Sequence, residues 1–324
     1  MGLDLDRMLA KCCRDQWRVD DLDWDVTPRP MSRQDEIAIV QYFTDMAGIE
    51  RLAAALFAEQ RRRVDDPQLK AIFETFIVDE QRHARVAERL AAFYDVHRYR
   101  EYELNDNLVR FTPHFVNAVK HVSAEIANAY ITSGEILLDV ALLRSLDDYV
   151  DDDMSHQAME KINRDESRHI AVDFHMVERY CDPEYIAAEA RKPPPPLAHR
   201  IRRAWTFCAM LYTAGPFLRD VFFAPMDLTD PSGRRMMEAF KRIQLMARKK
   251  EVAARPFTRF LRTMQILFNH PVIGRVLGRV IVRIVGVDSR VLVELFDEED
   301  ERRVNRMSLQ DLAEEILDLK FQTA

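Results

Sequence analysis

The chain contains the pattern Asp-Glu-x-Arg-His twice, at residues 79–83 and again at residues 165–169. Neither copy has a glycine or proline close to it, and the apolar residues around both recur with the period of an α-helix. Residues three apart share one face of a helix, so Glu80 lies beside His83 and Glu166 lies beside His169. A carboxylate and an imidazole, supplied twice, are what two metal ions require inside a helical bundle.

The sequence predicts an all-α fold, because glycine is scarce, at 8 residues, and most of the chain has helical spacing of apolar side chains. Four long helices are expected to form two hairpins, with turns near residues 65 and 151. The longer connection at residues 98–112 would let the third helix enter the bundle from the opposite end. The four predicted helices span residues 32–64, 67–97, 113–150 and 155–181.

Four segments are predicted along the chain. An N-terminal arm, with Trp17 and Trp24, is expected to pack on the main body without a catalytic role. The stretch Lys192–Pro196 contains four consecutive prolines and predicts a stiff, extended connection. The predicted segments are the arm at 1–31, the four-helix bundle at 32–182, a Pro-rich linker at 183–197 and a C-terminal helical region at 198–324.

Counting residues around each hairpin turn identifies two further carboxylates. Glu50 and Glu80 each lie 15 residues from Asp65, which marks the first turn. Around the second turn, at residue 151, Glu135 lies 16 residues before it and Glu166 lies 15 after it. Equal counts in an antiparallel hairpin give equal heights, because each helical residue rises by about 1.5 Å. The predicted metal ligands are Glu50, Glu80, His83, Glu135, Glu166 and His169.

Glu125 competes with Glu135 as a candidate ligand, and an ion-pair network competes with the metal site as an interpretation of the buried acids. Glu125 lies ten residues further than Glu135 from the second turn, so it is expected to make a polar contact elsewhere. Glu135 interrupts an otherwise apolar helix face, where an uncompensated carboxylate costs several kcal/mol. The alternative to a metal site is a buried ion-pair network in which these acids pair with Arg82 and Arg168.

The ligand set indicates which metals suit the site. Four carboxylates and two imidazoles favour iron, with manganese as an alternative, and the four cysteines show no spacing typical of zinc or iron–sulfur sites. Four carboxylates also neutralise two divalent ions, so the filled site can lie in an apolar core. Asp79 and Asp165 are expected to accept a hydrogen bond from the histidine of the opposite helix. Asp139 and Asp173 are expected to face inward.

The order Glu50, Glu80-x-x-His83, Glu135, Glu166-x-x-His169 resembles the ferritin-like di-iron carboxylate superfamily over about residues 32–182. Because it has two complete Asp-Glu-x-Arg-His motifs, the chain resembles the oxygen-activating branch of this superfamily. That branch includes acyl carrier protein desaturases, ribonucleotide reductase small subunits and several oxygenases. The resemblance implies a non-haem di-iron oxidase or oxygenase with two Fe ions that oxidises a hydrophobic organic substrate, such as a fatty acyl chain. The alternative is a non-enzymatic, iron-handling protein with ferroxidase activity only.

The chain departs from each named subfamily at a characteristic position. Ile162 stands where para-aminobenzoate N-oxygenases have an additional histidine, and Leu138 and Asp139 occupy the turn in which desaturases and monooxygenases have a threonine. Tyr42 and Tyr130 lie too far along their helices to match the radical-storing tyrosine of the reductases. The resemblance therefore does not identify the substrate or the type of oxidation.

Partners follow from the proposed chemistry and from the charge. An external electron donor, a ferredoxin or a flavin reductase, is implied, together with a hydrophobic small-molecule or acyl substrate delivered on an acidic carrier. A net charge of -7 gives no reason to expect nucleic-acid binding. The cysteine pattern and the mixed, acidic N-terminus favour a cytoplasmic protein, and a homodimer is compatible with the sequence.

The C-terminal region has an unusual charge pattern. Residues 198–283 contain 17 Lys and Arg but only 5 Asp and Glu, whereas residues 284–324 contain 11 acids and 5 bases. Arg275, Arg279 and Arg283 form one basic stripe on an otherwise apolar helix. We interpret this helix as an interior one covered by its neighbours, in preference to a helix in peripheral contact with a membrane surface.

Overall fold

The structure is a computed structural model that describes residues 3–122 and 124–321, without side-chain placement for residues 124, 127, 130, 320 and 321. The described part of the chain contains helices and no strand, which confirms the all-α prediction. Tyr130, which entered the comparison with reductases, falls outside the described side chains. The N-terminal half contains α1 (Leu5–Arg14), α2 (Arg33–Arg63), α3 (Pro67–Tyr94), α4 (Asp106–His121), α5 (Ala124–Ile136), α6 (Arg144–Val150) and α7 (Asp153–Cys181).

The C-terminal half is a set of shorter helices that pack on this first half. Two π-helical segments, at Leu137–Leu143 and Arg219–Phe223, continue α5 and α9, and short 3₁₀ turns lie at Val19–Asp21 and Ser289–Val291. The C-terminal helices are α8 (Pro183–Arg191), α9 (Leu197–Leu218), α10 (Ala224–Thr229), α11 (Arg234–Arg248), α12 (Lys250–Ala253), α13 (Pro256–Asn269), α14 (Ile273–Val285), α15 (Glu298–Val304) and α16 (Leu309–Phe321).

Short polar side chains define where the bundle helices begin. The Ser32 hydroxyl accepts a hydrogen bond from the Asp35 backbone N–H at 3.2 Å and caps α2. Asp66 caps α3 by accepting from the backbone of Gln68 at 2.8 Å, directly before the proline that starts the helix. Asp152 caps α7 in the same way. Because the connecting turns are this short, α2 pairs antiparallel with α3, and the α5–α6 segment pairs antiparallel with α7.

The third predicted helix differs most from the structure. Helix α4 already begins at Asp106, within the predicted connection, and Pro113 lies inside it. The α-helical pattern stops after His121, resumes in α5, and then becomes π-helical over Leu137–Leu143. In a π turn each hydrogen bond spans one more residue than in an α turn, so the segment takes up extra chain length between Glu135 and the second hairpin turn.

The predicted linker and the predicted arm are both structured. Helix α8 occupies Pro183–Arg191, so within the linker only the proline run after it is extended. Helix α1 packs on α3 and α7, and the Trp24 ring meets Phe93 at 6.1 Å, which confirms that the arm covers the main body. The main apolar core runs from Met8 to Ile316 and includes residues from both sides of the linker, and a smaller cluster contains Ile281, Val285 and Leu292.

The C-terminal helices are placed around one side of the bundle. Helix α9 lies along α4, α11 contacts the π-helical segment after α5, and α16 packs on α7. Helix α14 contacts α13 and α9. No helix in the described part of the chain combines the length and apolar character that crossing a bilayer requires.

Candidate metal centre

All six predicted ligands converge inside the bundle. Helix α2 contributes Glu50, α5 contributes Glu135, and α3 and α7 contribute the two Glu-x-x-His pairs. The most exposed of the six is Glu135, at 6% of its surface. The counting argument therefore identified the correct height and the correct helix faces for both isolated glutamates.

The six side chains form two overlapping groups of four. One group contains Glu50, Glu80, His83 and Glu166, and within it the ligand atoms all lie within 4.8 Å of one another. The second group, which meets the same criterion, combines Glu80 and Glu166 with Glu135 and His169. Two glutamates belong to both groups, as expected if carboxylates bridge two neighbouring cations.

The ligand atoms themselves show that protein contacts alone do not satisfy this cluster. Both carboxylate oxygens of Glu80 are buried without a hydrogen-bond partner among the described residues, as is one oxygen each of Glu50, Glu135 and Glu166. His83 Nδ1 lies 3.0 Å from Glu166 Oε1, but the two atoms are not aligned for a hydrogen bond. Each unsatisfied buried group costs about 1–3 kcal/mol, and bound cations would remove that cost. The donor set therefore fits a pair of metal ions.

The pKa values of the cluster glutamates also indicate a site suited to cations. Burial, reinforced by the charge of Glu166, raises the pKa of Glu80 and of Glu135 well above the ordinary range. Burial would also raise the pKa of Glu166, but the two nearby imidazoles outweigh it and hold that pKa well below the ordinary range. The neutral, protonated form of Glu80 and of Glu135 is therefore favoured unless positive charge is bound beside them.

The histidines hold protons for a related reason. Burial lowers the pKa of an imidazole, yet contacts with Asp165 and Glu166 raise the pKa of His83 to about 10. Contacts with Glu166 and Asp79 raise the pKa of His169 to about 9. Divalent ions binding here would displace these protons, because a ligating imidazole nitrogen must be deprotonated.

Each histidine is oriented by the aspartate that precedes the glutamate of the opposite motif. His83 Nε2 lies 3.1 Å from Asp165 Oδ2, and His169 Nε2 lies 3.6 Å from Asp79 Oδ2. This leaves Nδ1 of each ring facing the glutamates, at 2.7 Å from Glu166 in the case of His169. The hydrogen bond predicted for Asp165 is confirmed, whereas Asp79 lies beside His169 Nε2 at a distance too long for the predicted hydrogen bond. In both cases the aspartate lies next to Nε2, which leaves Nδ1 available to a metal.

Two buried arginines neutralise these aspartates. Arg82 contacts Asp79 and lies 2.7 Å from Asp165. Arg168 lies 2.6 Å from Asp165 and 3.2 Å from Asp79. The alternative in which the arginines pair with the cluster glutamates is therefore wrong for the described residues, where the glutamates contact the two imidazoles instead.

The N-terminal arm adds two polar contacts that the sequence did not predict. Trp17 Nε1 donates to Asp165 at 2.7 Å, and Gln16 Nε2 donates to Asp79 at 3.0 Å. The guanidinium of Arg82 donates to Gln16 at 2.7 Å and lies 4.9 Å from the centre of the Trp17 ring. Nothing in the local sequence of the arm indicates this role, because both partners lie more than sixty residues further along the chain.

An apolar cavity of about 310 Å³ reaches the cluster. Glu50 and Glu135 line it, together with side chains from the bundle and from the C-terminal helices. Glu125 also lines the cavity, but it pairs with Arg255, as expected for a polar contact outside the ligand set. Apolar residues that line the cavity include Leu52, Leu56, Phe111, Phe115, Ile131, Phe217 and Leu261.

Two further acids are buried close to the cluster. Asp139 and Asp173 both have no exposed surface, which confirms that they face inward. Burial raises the pKa of Asp173 well above its ordinary range, and the nearby charge of His169 opposes that shift only in part. Asp139 lies in the π-helical segment, one turn beyond Glu135.

Comparison with protein-family models, with curated proteins and with solved structures found no match for this chain. The function of the protein therefore has to be inferred from the chemistry of the site itself. That site is a buried cluster of four glutamates and two histidines that can hold metal ions.

Proposed function

We propose that this protein is a non-haem di-iron enzyme that uses O2 to oxidise a hydrophobic organic substrate. The observation that supports this most is the pair of overlapping ligand groups that share Glu80 and Glu166. The order of ligands along two helical hairpins resembles the ferritin-like di-iron carboxylate proteins. Manganese in one or both positions would suit the same donor atoms.

The residues divide naturally between the two ions. Glu50 and His83 would hold one ion and Glu135 and His169 the other, with Glu80 and Glu166 shared between them. Six ligands leave open coordination positions, which is the property that distinguishes catalytic from closed structural sites. When bound, iron would supply the electron transfer to O2 that the protein side chains cannot supply themselves.

The surrounding side chains would keep the site dry and oriented. The Phe76 ring lies 4.1 Å from the His169 ring and the Phe57 ring lies 5.2 Å from it, so apolar groups exclude water on that side. Asp165 and Asp79 hold the histidines by their second nitrogen. The cavity beside Glu50 and Glu135 would bind the substrate through apolar contacts, which suits a fatty acyl chain.

The electron balance requires a partner. Reducing O2 to the level of water takes four electrons, of which the substrate would provide two. The other two would come from an external donor, such as a ferredoxin or a flavin reductase. An acidic carrier protein is one way in which an acyl substrate would be delivered.

Metal loading tests the first part of the proposal. Protein loaded anaerobically with Fe(II) is expected to retain about two irons per chain. Glu80→Ala should abolish retention of the pair, because that residue belongs to both ligand groups. Glu88→Ala, an exposed position on the same helix, is the matched control. Retention of less than one iron by the unaltered chain would refute the proposal.

Exposure of the loaded protein to O2 tests the second part. We expect a transient visible absorption and, with a reductase present, oxidised products from fatty acids or arylamines detected by mass spectrometry. Oxidation of Fe(II) with no organic product from any apolar substrate would instead favour the alternative of an iron-handling protein with ferroxidase activity only.

A further inference from the structure

Two stretches of the C-terminal region contain no acidic residue. The first runs from residue 190 to residue 219 and includes α9, and the second runs from residue 252 to residue 287 and includes α13 and α14. Each stretch contains six lysines or arginines. Together they form the most strongly basic part of a chain whose net charge is -7.

Helix α9 exposes a narrow stripe of apolar side chains. Trp205 is 74% exposed, Tyr212 is 69% exposed and Leu197 is 68% exposed. At about 100° per residue, these three and Ile201 fall within an arc of about 80° on one side of the helix. Arg200 and Arg202, both exposed, lie on the two sides of this stripe.

Helix α14 is apolar on its outer side as well as on its inner side. Gly278, Ile281 and Val285 are buried against neighbouring helices, whereas Val276 is 74% exposed and Val280 is 52% exposed. The basic stripe lies beside these exposed residues rather than in the interior. The interpretation of α14 as a helix covered by its neighbours is therefore wrong for the described chain. The exposed side chains of α14 are Arg275, Val276, Leu277, Arg279, Val280, Arg283 and Ile284.

The two helices form one continuous surface. They meet where Gly286, which has a φ of +76°, approaches Gly215 so closely that a Cβ at position 286 would lie 3.0 Å from the Gly215 nitrogen. Tyr212 of the α9 stripe and Arg283 of the α14 stripe line the same groove. We refer to the exposed side chains of α9 and α14 as the α9–α14 surface.

We propose that the α9–α14 surface docks on a lipid bilayer that contains anionic phospholipids. Its apolar side chains would enter the boundary between headgroups and acyl chains, and its arginines would contact lipid phosphates. Tryptophan and tyrosine are the aromatic residues that favour this boundary. Helices α9 and α14 would lie on the membrane, in agreement with the finding that no described helix can cross one.

The charge pattern favours a lipid surface over a second copy of the chain. In a symmetric dimer formed through this surface, the same acid-free patch would face itself, and arginines would oppose arginines. Docking needs no metal, so it is independent of the proposed enzymatic function. Ala214, Phe217 and Val285 of these two helices also line the cavity that reaches the cluster. If the proposed function holds, an apolar substrate would pass from the membrane through this cavity to the metal centre.

Vesicle binding by the full chain tests this proposal. We expect binding to vesicles of phosphatidylcholine mixed with phosphatidylglycerol, weaker binding at high salt, and little binding to phosphatidylcholine alone. Replacing Arg275, Arg279 and Arg283 by glutamine should weaken binding at least about tenfold. The matched control replaces Lys11, Lys70 and Arg85, which are exposed on α1 and α3, and should bind as the unaltered chain does.

The fluorescence of Trp205 provides a second measurement. Trp17 is 6% exposed and Trp24 is partly buried, so a blue shift on adding anionic vesicles should come from Trp205 and vanish in Trp205→Phe. Metal-free and iron-loaded protein should respond equally. Membrane docking would be refuted if the arginine variant and its control bound equally, or if the protein bound neither kind of vesicle. It would also be refuted by a dimer that dissociates in Trp205→Glu without any vesicle binding.

Discussion

The candidate metal centre and the α9–α14 surface both depart from the usual placement of side chains: the first buries charged groups, and the second exposes apolar ones. In the bundle, Asp79, Asp165 and Arg168 have no exposed surface, although charged groups normally face water. On α9 and α14, Trp205 and Val276 are each 74% exposed, although large apolar groups normally face the core. Burying charged groups and exposing apolar groups both cost free energy in the chain alone. Bound cations would recover this cost in the first region, and a lipid surface would recover it in the second.

The two regions differ in how far the protein has already compensated for this cost. Around the candidate metal centre, arginine, aspartate, tryptophan and glutamine side chains form hydrogen bonds and ion pairs, although several ligand atoms and the Nε atoms of Arg82 and Arg168 remain unsatisfied among the described residues. On the α9–α14 surface, nothing in the described chain covers the apolar side chains. Substitutions should therefore affect folding strongly in the first region and association in the second.

The largest effect on folding is expected from Arg168→Met. The substitution leaves Asp79 and Asp165 buried with less opposing charge, and removing one partner of a buried ion pair costs about 3–5 kcal/mol. Denaturant unfolding of metal-free protein measures this change. Arg61→Met, which removes an exposed ion pair with Glu74, should cost less than about 1 kcal/mol. Equal losses in the two variants would contradict the contrast between the regions.

A smaller loss is expected from Trp17→Phe. The phenylalanine ring keeps most of the apolar contact but removes the donor to Asp165, and a hydrogen bond to a charged group contributes about 1.5–3 kcal/mol. Trp24→Phe removes only a bond to the Val19 carbonyl and should cost about 1 kcal/mol. The two variants are compared by denaturant unfolding. A smaller loss for Trp17 than for Trp24 would mean that the arm does not support the site.

The smallest effect on folding is expected from Val276→Ser. Because this side chain is 74% exposed, its replacement should change the free energy of unfolding by less than about 0.5 kcal/mol. Val252→Ser, at a buried position of the same acid-free stretch, is the comparison and should destabilise clearly. A large loss of stability in Val276→Ser would show that this side chain is covered by the protein itself.

The convergence of the candidate metal ligands could be predicted because helix geometry relates sequence to space over short distances. The spacing within each Glu-x-x-His pair places both groups on one face, and the short hairpin turns place Glu50 opposite Glu80. Glu135 was found although its count from the turn was one residue too long. The π-helical segment at Leu137–Leu143 accommodates such additional chain length between Glu135 and the turn.

Helix geometry did not predict the exposed face of α14, because this helix could be covered by its neighbours in more than one way. The apolar sequence of α14 is compatible with burial on all sides, but only its arrangement with α13 and α9 shows which face remains exposed. The structure also differs from the helix start predicted at Pro113, since α4 begins at Asp106 and extends through this proline.

The sequence by itself determined the all-helical class, the convergence of the six candidate ligands and the position of an aspartate beside each histidine, because all of these follow from helical spacing and short turns. Only the tertiary structure decided that Trp17 and Gln16 join the buried network, that a cavity reaches Glu50 and Glu135, and that α14 faces outward. These features depend on contacts between segments far apart in the chain. Local periodicity does not specify which of several apolar faces will meet.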